Sequence, residues 1–367
     1  MQIINNVIVI GGGHHNTLGV VRALGERGVG VELITFGGQN EKYVSSSKYV
    51  RKHTHCVNSK DIPIYLKKRQ KNNGNKEVVI SCADEVTEVL NDNLNTLSEH
   101  YFIPGCRKEG VMVKLMDKTT MINMVGNYGL HAPEIWSLPE DKDKINYPCI
   151  TKSYVSSHGG KEDVKVFYSK SELSSFLNKC QDDVFVQRFV EKKEEVQFIG
   201  CSLNDGETVI IPGMSRIMRS QPNTNTGFLQ YGPIDPFYNE TVESSKKYIK
   251  ACGYNGLFSI EFIRSKNDEV LFLEINFRND GNAWCVTAAG VNLPMIWLKA
   301  CLGMNYIDEL HEVRSITVMP EFQDFKLVLQ HKLSFWQWLC DVKRSDAFMD
   351  WNKKDKKPFF RFILNKI

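Results

Sequence analysis

The chain has 367 residues, 42% of them hydrophobic and 24% charged, with a formal net charge of +3. That is enough to bury the cores of two or three domains, and the balance of charge is too even to expect a nucleic-acid partner. Ten cysteines lie scattered with no CxxC pair. Free thiols in a reducing cytoplasm fit that pattern better than a disulfide framework or a zinc site. The opening MQIINNVIVIGGG is too short and too polar for a signal peptide. No apolar run reaches the length of a membrane-spanning helix.

In chain order, a strand over 7–10 runs into Gly11-Gly12-Gly13, then a helical LGVVRALGERG and a second strand over 31–36. Strand, glycine turn, helix and strand begin a parallel α/β sheet. The run GGGHHNTLG lacks GxGxxG spacing, and the second strand carries Glu32 early rather than at its tip. Both points disfavour a nicotinamide site. The glycines make either a tight turn alone or a backbone-lined site for a small anionic substrate at the helix start. Tyr43 to Val57 reads as a polar, basic loop. Helices over 62–70 and 84–97, with strands over 78–81 and 101–104, complete an α/β domain near residue 110.

Asp117-Lys118-Thr119-Thr120 then starts a helix that ends at Gly126 or Gly129. A strand over 147–153 carries Lys152, and SSHGGKED, with Gly159 and Gly160, precedes a strand over 164–168. That turn either closes over phosphates through backbone N–H groups or is a plain hairpin turn. After a helix over 171–180, the strand DVFVQRFV holds Gln187. Its amide, with the backbone at Phe189 and Val190, can meet a purine edge. In EKKEE, Glu194 or Glu195 is placed for ribose hydroxyls, although the run also reads as a charged turn. Arg216 and Arg219 follow a strand in a stretch rich in glycine and asparagine, and are either phosphate ligands or surface charge.

A helix over 240–252 precedes GLFSIEFIRSKNDEVLFLEINFR, from Gly256 to Arg278. Two apolar runs flank the polar Ser265-Lys266-Asn267-Asp268, so the unit reads as a β-hairpin. Alternation puts Glu274 and Asn276 on one face, and Glu261 can join them across the hairpin. Three oxygen-bearing side chains there suit a hard divalent cation shared with phosphates. A solvated, half-exposed hairpin is the bland reading, but burying these groups without a cation or partners is costly. Arg278, on the same face, can meet a phosphate or carboxylate bidentately.

Taken in order, these pieces resemble the ATP-grasp superfamily over roughly Val7 to Leu302. FLEINFRND looks like the family's metal-binding EINPR segment, Asp117-Lys118 like its DK helix start, and YPCITKS like its P-x-x-x-K strand. SSHGGKED stands where the phosphate-covering loop belongs, and VQRFV where the adenine hinge does. The resemblance implies an α/β chain, α+β in the ATP-binding part: an ATP-grasp fold behind an N-terminal Rossmann-like domain. The implied divisions are 1–110, a central subdomain over 111–190, a metal-bearing subdomain over 191–315, and a helical, basic and aromatic extension over 316–367.

By the same resemblance, Lys118, Lys152 and the loop at Gly159 and Gly160 contact the phosphates of ATP. Gln187, Phe189 and Val190 hold adenine, and Glu194 or Glu195 holds ribose. Glu261, Glu274 and Asn276 hold Mg²⁺, with Mn²⁺ as a substitute. Arg278 and either Arg216 or Arg219 stabilise the transferring phosphate. Phe277 replaces the proline of EINPR, and Gln187 replaces the commoner hinge glutamate.

The nearest types are carboxylate–amine ligases: D-aspartate ligases of cell-wall cross-bridges and carbamoyl-phosphate-synthase-like proteins of surface-polysaccharide clusters. The expectation is an ATP-dependent ligase that joins a small carboxylate and an amine, amino acid or sugar-linked, through an acyl-phosphate. An ATP-binding protein without turnover is the alternative. The tail from Trp351 to Phe362 mixes cations with aromatics. It either touches an anionic membrane surface weakly or, the favoured reading, packs on its own domain. Oligomeric state is left open, a homodimer included.

Overall fold

The computed structural model describes residues 6–38, 41–69, 74–153, 165–180, 184–220 and 226–364. The N-terminal part is β1 (Val7–Ile10), α1 (His15–Gly25), β2 (Val31–Phe36), α2 (Glu41–Ser45), β3 (Val50–Cys56), α3 (Asp61–Lys68), β4 (Glu77–Ser81), α4 (Asp84–Asn91), α5 (Leu94–Leu97) and β5 (Tyr101–Phe102). Its sheet runs β3-β2-β1-β4-β5, and every pairing is parallel. The order reverses between β1 and β4, and in such sheets ligands bind beyond the strand ends at that point. Gly11-Gly12-Gly13 and Cys82 to Asp84 lie there.

Two stretches fold differently from expectation. Tyr43 to Val57 is a short helix followed by edge strand β3, whose side chains are mostly exposed or half-buried. A charged edge strand lacks the alternation of a half-buried one and hides in a sequence as a loop. The helix expected over 84–97 breaks at Asp92-Asn93 into α4 and α5.

The middle of the chain is β6 (Gly105–Cys106), α6 (Met112–Leu115), α7 (Lys118–Val125), β7 (Ile135–Trp136), β8 (Cys149–Ser153), β9 (Lys165–Phe167), α8 (Lys170–Leu177) and β10 (Val184–Arg188). Asp117 caps α7, its carboxylate accepting from Thr120 N at 2.7 Å. A 3₁₀ turn over Gly126–Tyr128 continues that helix to Gly129, which takes φ 82°. Strands β7-β10-β8-β9 form an antiparallel sheet. Cys149, Phe167, Val186 and Leu173 of α8 share one small core.

A large sheet follows: β11 (Lys192–Leu203), β12 (Thr208–Ile210), β13 (Met214–Ser220), β14 (Gly227–Gly232), then α9 (Asn239–Cys252), β15 (Tyr254–Ser265) and β16 (Val270–Asn276). After α10 (Trp284–Ala289) and α11 (Leu293–Cys301) come β17 (Ile316–Met319), α12 (Glu321–Leu329), α13 (Phe335–Arg344), β18 (Ala347–Phe348) and α14 (Lys357–Leu364). The main path is β16-β15-β11-β13-β14-β17-β18, with β12 on β11 and β6 on β15. One face packs with α1, α10 and α11 in the main core; the other packs with α7 and α9.

The tail closes back onto the N-terminal part. Arg22 of α1 is fully buried and donates to the carbonyls of Met349, Asp350 and Asp355 and to the Asp355 carboxylate. Tyr43 donates to Asp350 at 2.5 Å. Phe359 and Phe362 stack on Phe322, Phe362 also meets Tyr43, and Trp351 meets Phe359 and Phe360. Phe359 and Phe362 of the tail are thus engaged with the rest of the protein. All ten cysteines are free, and among the described residues no helix is long and apolar enough to cross a membrane.

Candidate active site

The site starts from the register of the large sheet. Glu261 of β15 stands opposite Glu274 of β16, and Ser259 opposite Asn276. On its other side Glu261 pairs with Gln197 of β11, which pairs with Ser215 of β13. Paired residues share a face, so Glu274, Glu261, Gln197 and Ser215 form one row. Glu195 and Asn276 flank it on the same face. Asn276 Nδ2 donates to Glu261 Oε1 at 3.2 Å and to Ser259 Oγ at 3.3 Å.

Among the described residues no group of three or more His, Cys, Asp or Glu side chains could hold a metal alone. The set here is two carboxylates and an amide oxygen, all hard donors. It fits Mg²⁺, which takes one or two carboxylates and completes its shell with water and phosphate. Held that way, the Asn276 carbonyl oxygen, which now accepts from Arg278 Nη2 at 3.0 Å, would turn toward Glu261.

Arg278 lies just past β16 and is mostly buried. It donates to Asp84 Oδ2 at 3.0 Å and to Asp280 Oδ2 at 2.9 Å. Burial works against its charge, but the two carboxylates outweigh burial and keep it protonated. Neither aspartate stands out in the sequence. Asp84 reads as a helix start, and Asp280 lies beyond the hairpin.

The segment after Arg278 is stitched to the switch point of the parallel sheet. Asn279 N donates to Ser81 O at 3.0 Å, Thr87 Oγ1 to Phe277 O at 2.9 Å, and Asn16 Nδ2 to Asn279 O at 2.8 Å. Gly11 is required in this contact, because a Cβ there would collide with Thr17 and Cys82. The glycine loop therefore abuts the end of the hairpin. His14 caps α1, its Nδ1 accepting from Asn16 N at 3.3 Å. Loss of solvent around the ring, then the Arg278 charge, push its pKa down to about 4. The neutral ring keeps its proton on Nε2. His15 is buried, with Thr226 Oγ1 3.3 Å from Nε2 and Gln323 Nε2 2.9 Å from Nδ1.

In the smaller sheet, Lys152 pairs with Phe185 and Ile150 with Gln187. These four share the face away from the α8 core, and Gln187 is buried. Phe189 and Val190 are half-buried in the link to β11, with Phe189 N bonded to Pro148 O at 3.2 Å. Lys118 is half-buried at the first turn of α7. Gly159 and Gly160 lie outside the described residues.

Three expected residues face elsewhere. EKKEE is the start of strand β11 rather than a turn, so Glu194 and Glu195 point to opposite faces. Glu194 accepts from Arg216 Nε at 3.0 Å, Arg264 Nη1 at 3.0 Å and Tyr238 Oη at 2.8 Å, on the face away from Glu261. Arg216 completes that cluster with Asp235 at 2.5 Å. Arg219 is on strand β13 too, where a bulge between Ile217 and Arg219 returns it to the face of Arg216. It binds Asp324 at 3.0 and 2.5 Å and Asp341 at 2.8 Å, linking the sheet to α12 and α13. Neither arginine is brought to the hairpin row.

Two β-rich sheets joined by a short link, with a carboxylate-bearing hairpin and a Rossmann-like sheet in front, define an ATP-grasp fold. Residues 123–292 match the model of the ATP-grasp domain, and the chain carries that domain. It is 20% identical to the D-aspartate ligase of Enterococcus faecium over 318 residues, 77% of this chain and 73% of that protein. It is 25% identical to the formate-dependent phosphoribosylglycinamide formyltransferase of Bacteroides fragilis over 185 residues, 47% of this chain and 46% of that protein. The match thus spans about half the length of that relative. The solved structure of N5-carboxyaminoimidazole synthetase from Staphylococcus aureus aligns with a TM-score of 0.69 at 14% identity, covering 90% of this chain and 86% of its own.

Proposed function

We propose that the protein is an ATP-dependent, ADP-forming ligase that activates a small carboxylate and joins it to an amine. The observation that carries this is the row of Glu261, Glu274 and Asn276, which ends beside Arg278 and the glycine loop. When bound, Mg²⁺ would neutralise phosphate charge on that row. Lys118 and Lys152 would hold phosphate oxygens, and Gln187, Phe189 and Val190 the adenine. Glu195, on the inner face, is the glutamate we assign to ribose. Arg278 would steady the acyl-phosphate, its orientation set by Asp84 and Asp280. Such chemistry asks a protein for positioning and charge neutralisation rather than for a nucleophile. The carboxylate substrate would sit against Gly12, Gly13 and the start of α1, where backbone N–H groups favour an anion.

The relatives act on different molecules, as the names D-aspartate ligase and phosphoribosylglycinamide formyltransferase state. Because the D-aspartate ligase matches over most of its length, we favour an amino-acid substrate and a role in cell-wall or surface-polysaccharide synthesis in the cytoplasm. Release of ADP and phosphate, measured across amino acids, sugar acids and formate with several amines, tests the reading. ADP formed with formate and a ribonucleotide amine alone would move the protein to the purine-type chemistry of the other relatives. Binding of MgATP with no ADP formed on any pair would favour an ATP-binding regulatory protein.

A further inference from the structure

Gln197 is buried, and only one end of its amide is accounted for. Its Oε1 accepts from Asn282 Nδ2 at 3.1 Å, while its Nε2 has no hydrogen-bond partner. The neighbouring Ser215 hydroxyl donates to the Gln197 main-chain oxygen at 3.3 Å and does not accept from the amide. A buried N–H left unpaired is costly, and native proteins pair nearly all of them. Gln197 lines a cleft together with Glu195, Val196, Ile217 and Glu261.

The chemistry of that cleft selects its occupant. Carboxylates stand on two sides, so an anionic oxygen without a cation is repelled. An apolar group would leave the amide N–H unpaired. A hydroxyl satisfies both demands, accepting from Gln197 Nε2 and donating to Glu195, whose Oε2 is steadied by Lys192 at 2.8 Å. Ile217 adds an apolar wall for a sugar ring. We propose that Gln197 donates a hydrogen bond to a ribose hydroxyl of the bound nucleotide and thereby sets a preference for ATP over the analogue that lacks that hydroxyl. This rests on the reading that ATP occupies the cleft. It adds a positioning residue on the inner face that the sequence hides, because EEVQF reads as the end of a charged turn.

The test is calorimetric binding of ATP, 2′-deoxy-ATP and 3′-deoxy-ATP to the wild-type chain, Gln197→Leu and Gln197→Glu. Leucine keeps the size without the donor. Glutamate keeps the acceptor toward Asn282 and replaces the free N–H with an oxygen. Wild type is expected to bind one deoxy analogue about tenfold more weakly than ATP, the loss of one hydrogen bond. Both variants should bind ATP about tenfold more weakly and lose that discrimination, measured at a temperature where circular dichroism shows each variant folded. Equal binding of all three nucleotides by wild type overturns the proposal. So does full discrimination retained by both variants, which would mean the cleft holds only water. If wild type binds no nucleotide at all, the ATP reading itself fails.

Discussion

Glu194 and Glu195 are neighbours in sequence and opposites in circumstance. Glu195 faces the hairpin row, beside an unfilled amide donor and two further acids. Glu194 faces away, with every nearby charge answered: Arg216, Arg264 and Tyr238 all reach it. Burial alone would raise its pKa, but these three partners reverse the direction and lower it. Arg278, itself paired with Asp84 and Asp280, lies at the end of the inner row, while Arg216 and Arg219 lie on the outer face. The inner face holds a buried amide donor, Gln197 Nε2, that has no partner. The outer face spends its polar groups on one another, and there a charged residue marks stability rather than chemistry.

The comparison can be broken most directly at the hairpin. Glu274→Ala is expected to lower ADP formation at least about a hundredfold, the effect of removing one charge-stabilising contact. Its circular dichroism and unfolding temperature should match the wild type. Surviving ADP formation with the true substrates would remove the metal assignment.

On the other face, Arg219→Ala leaves Asp324 and Asp341 without their shared partner. Both carboxylates are fully buried, while Arg219 is 22% exposed. The expected cost is about 3 kcal/mol of stability, at the low end for a broken buried pair. The rate per folded molecule should not change. A large fall in kcat with normal stability would return Arg219 to the catalytic set. Between the two glutamates, Glu195→Ala should raise the KM for ATP about tenfold, as for a lost hydrogen bond to a ligand, and Glu194→Ala should leave it alone. Equal effects would erase the distinction between faces.

The last prediction concerns pH. Glu321 is buried, and desolvation followed by the Asp350 charge raises its pKa from 4.5 to about 8, against the pull of the backbone N–H groups of Met349, Asp350 and Trp351. A raised folded-state pKa contributes stability that is complete below about 4.5 and is lost as pH rises through about 8. Unfolding temperature should therefore decline across that window, and Glu321→Gln should flatten the decline. An unchanged slope in the variant would assign the dependence to other groups.

Much of this was legible before any coordinates. The parallel start shows in short β-branched runs broken by glycine, and the hairpin in acids at alternate positions of two apolar runs. What escaped has a common cause. Edge strand β3 and the first turn of β11 are rich in charge, so their residues carry no alternation of polarity, only of direction. The bulge after Ile217 is a single extra residue, and nothing in SRIMRS announces it. Asp84 and Asp280 escape because their importance lies in reaching Arg278, across a long stretch of chain or around a turn.

Arg22 carries a consequence for how the chain comes into being. It lies in the first helix, yet its guanidinium finds its acceptors only among Met349, Asp350 and Asp355. Synthesis proceeds from the N-terminus, and domains generally fold in that order. The parallel sheet can thus assemble on the ribosome while this cation stays hydrated at its surface. It is sealed only when residues 349–355 emerge. A chain cut short before Met349 would leave this cation without those acceptors, a first domain with an open wound rather than a shorter enzyme.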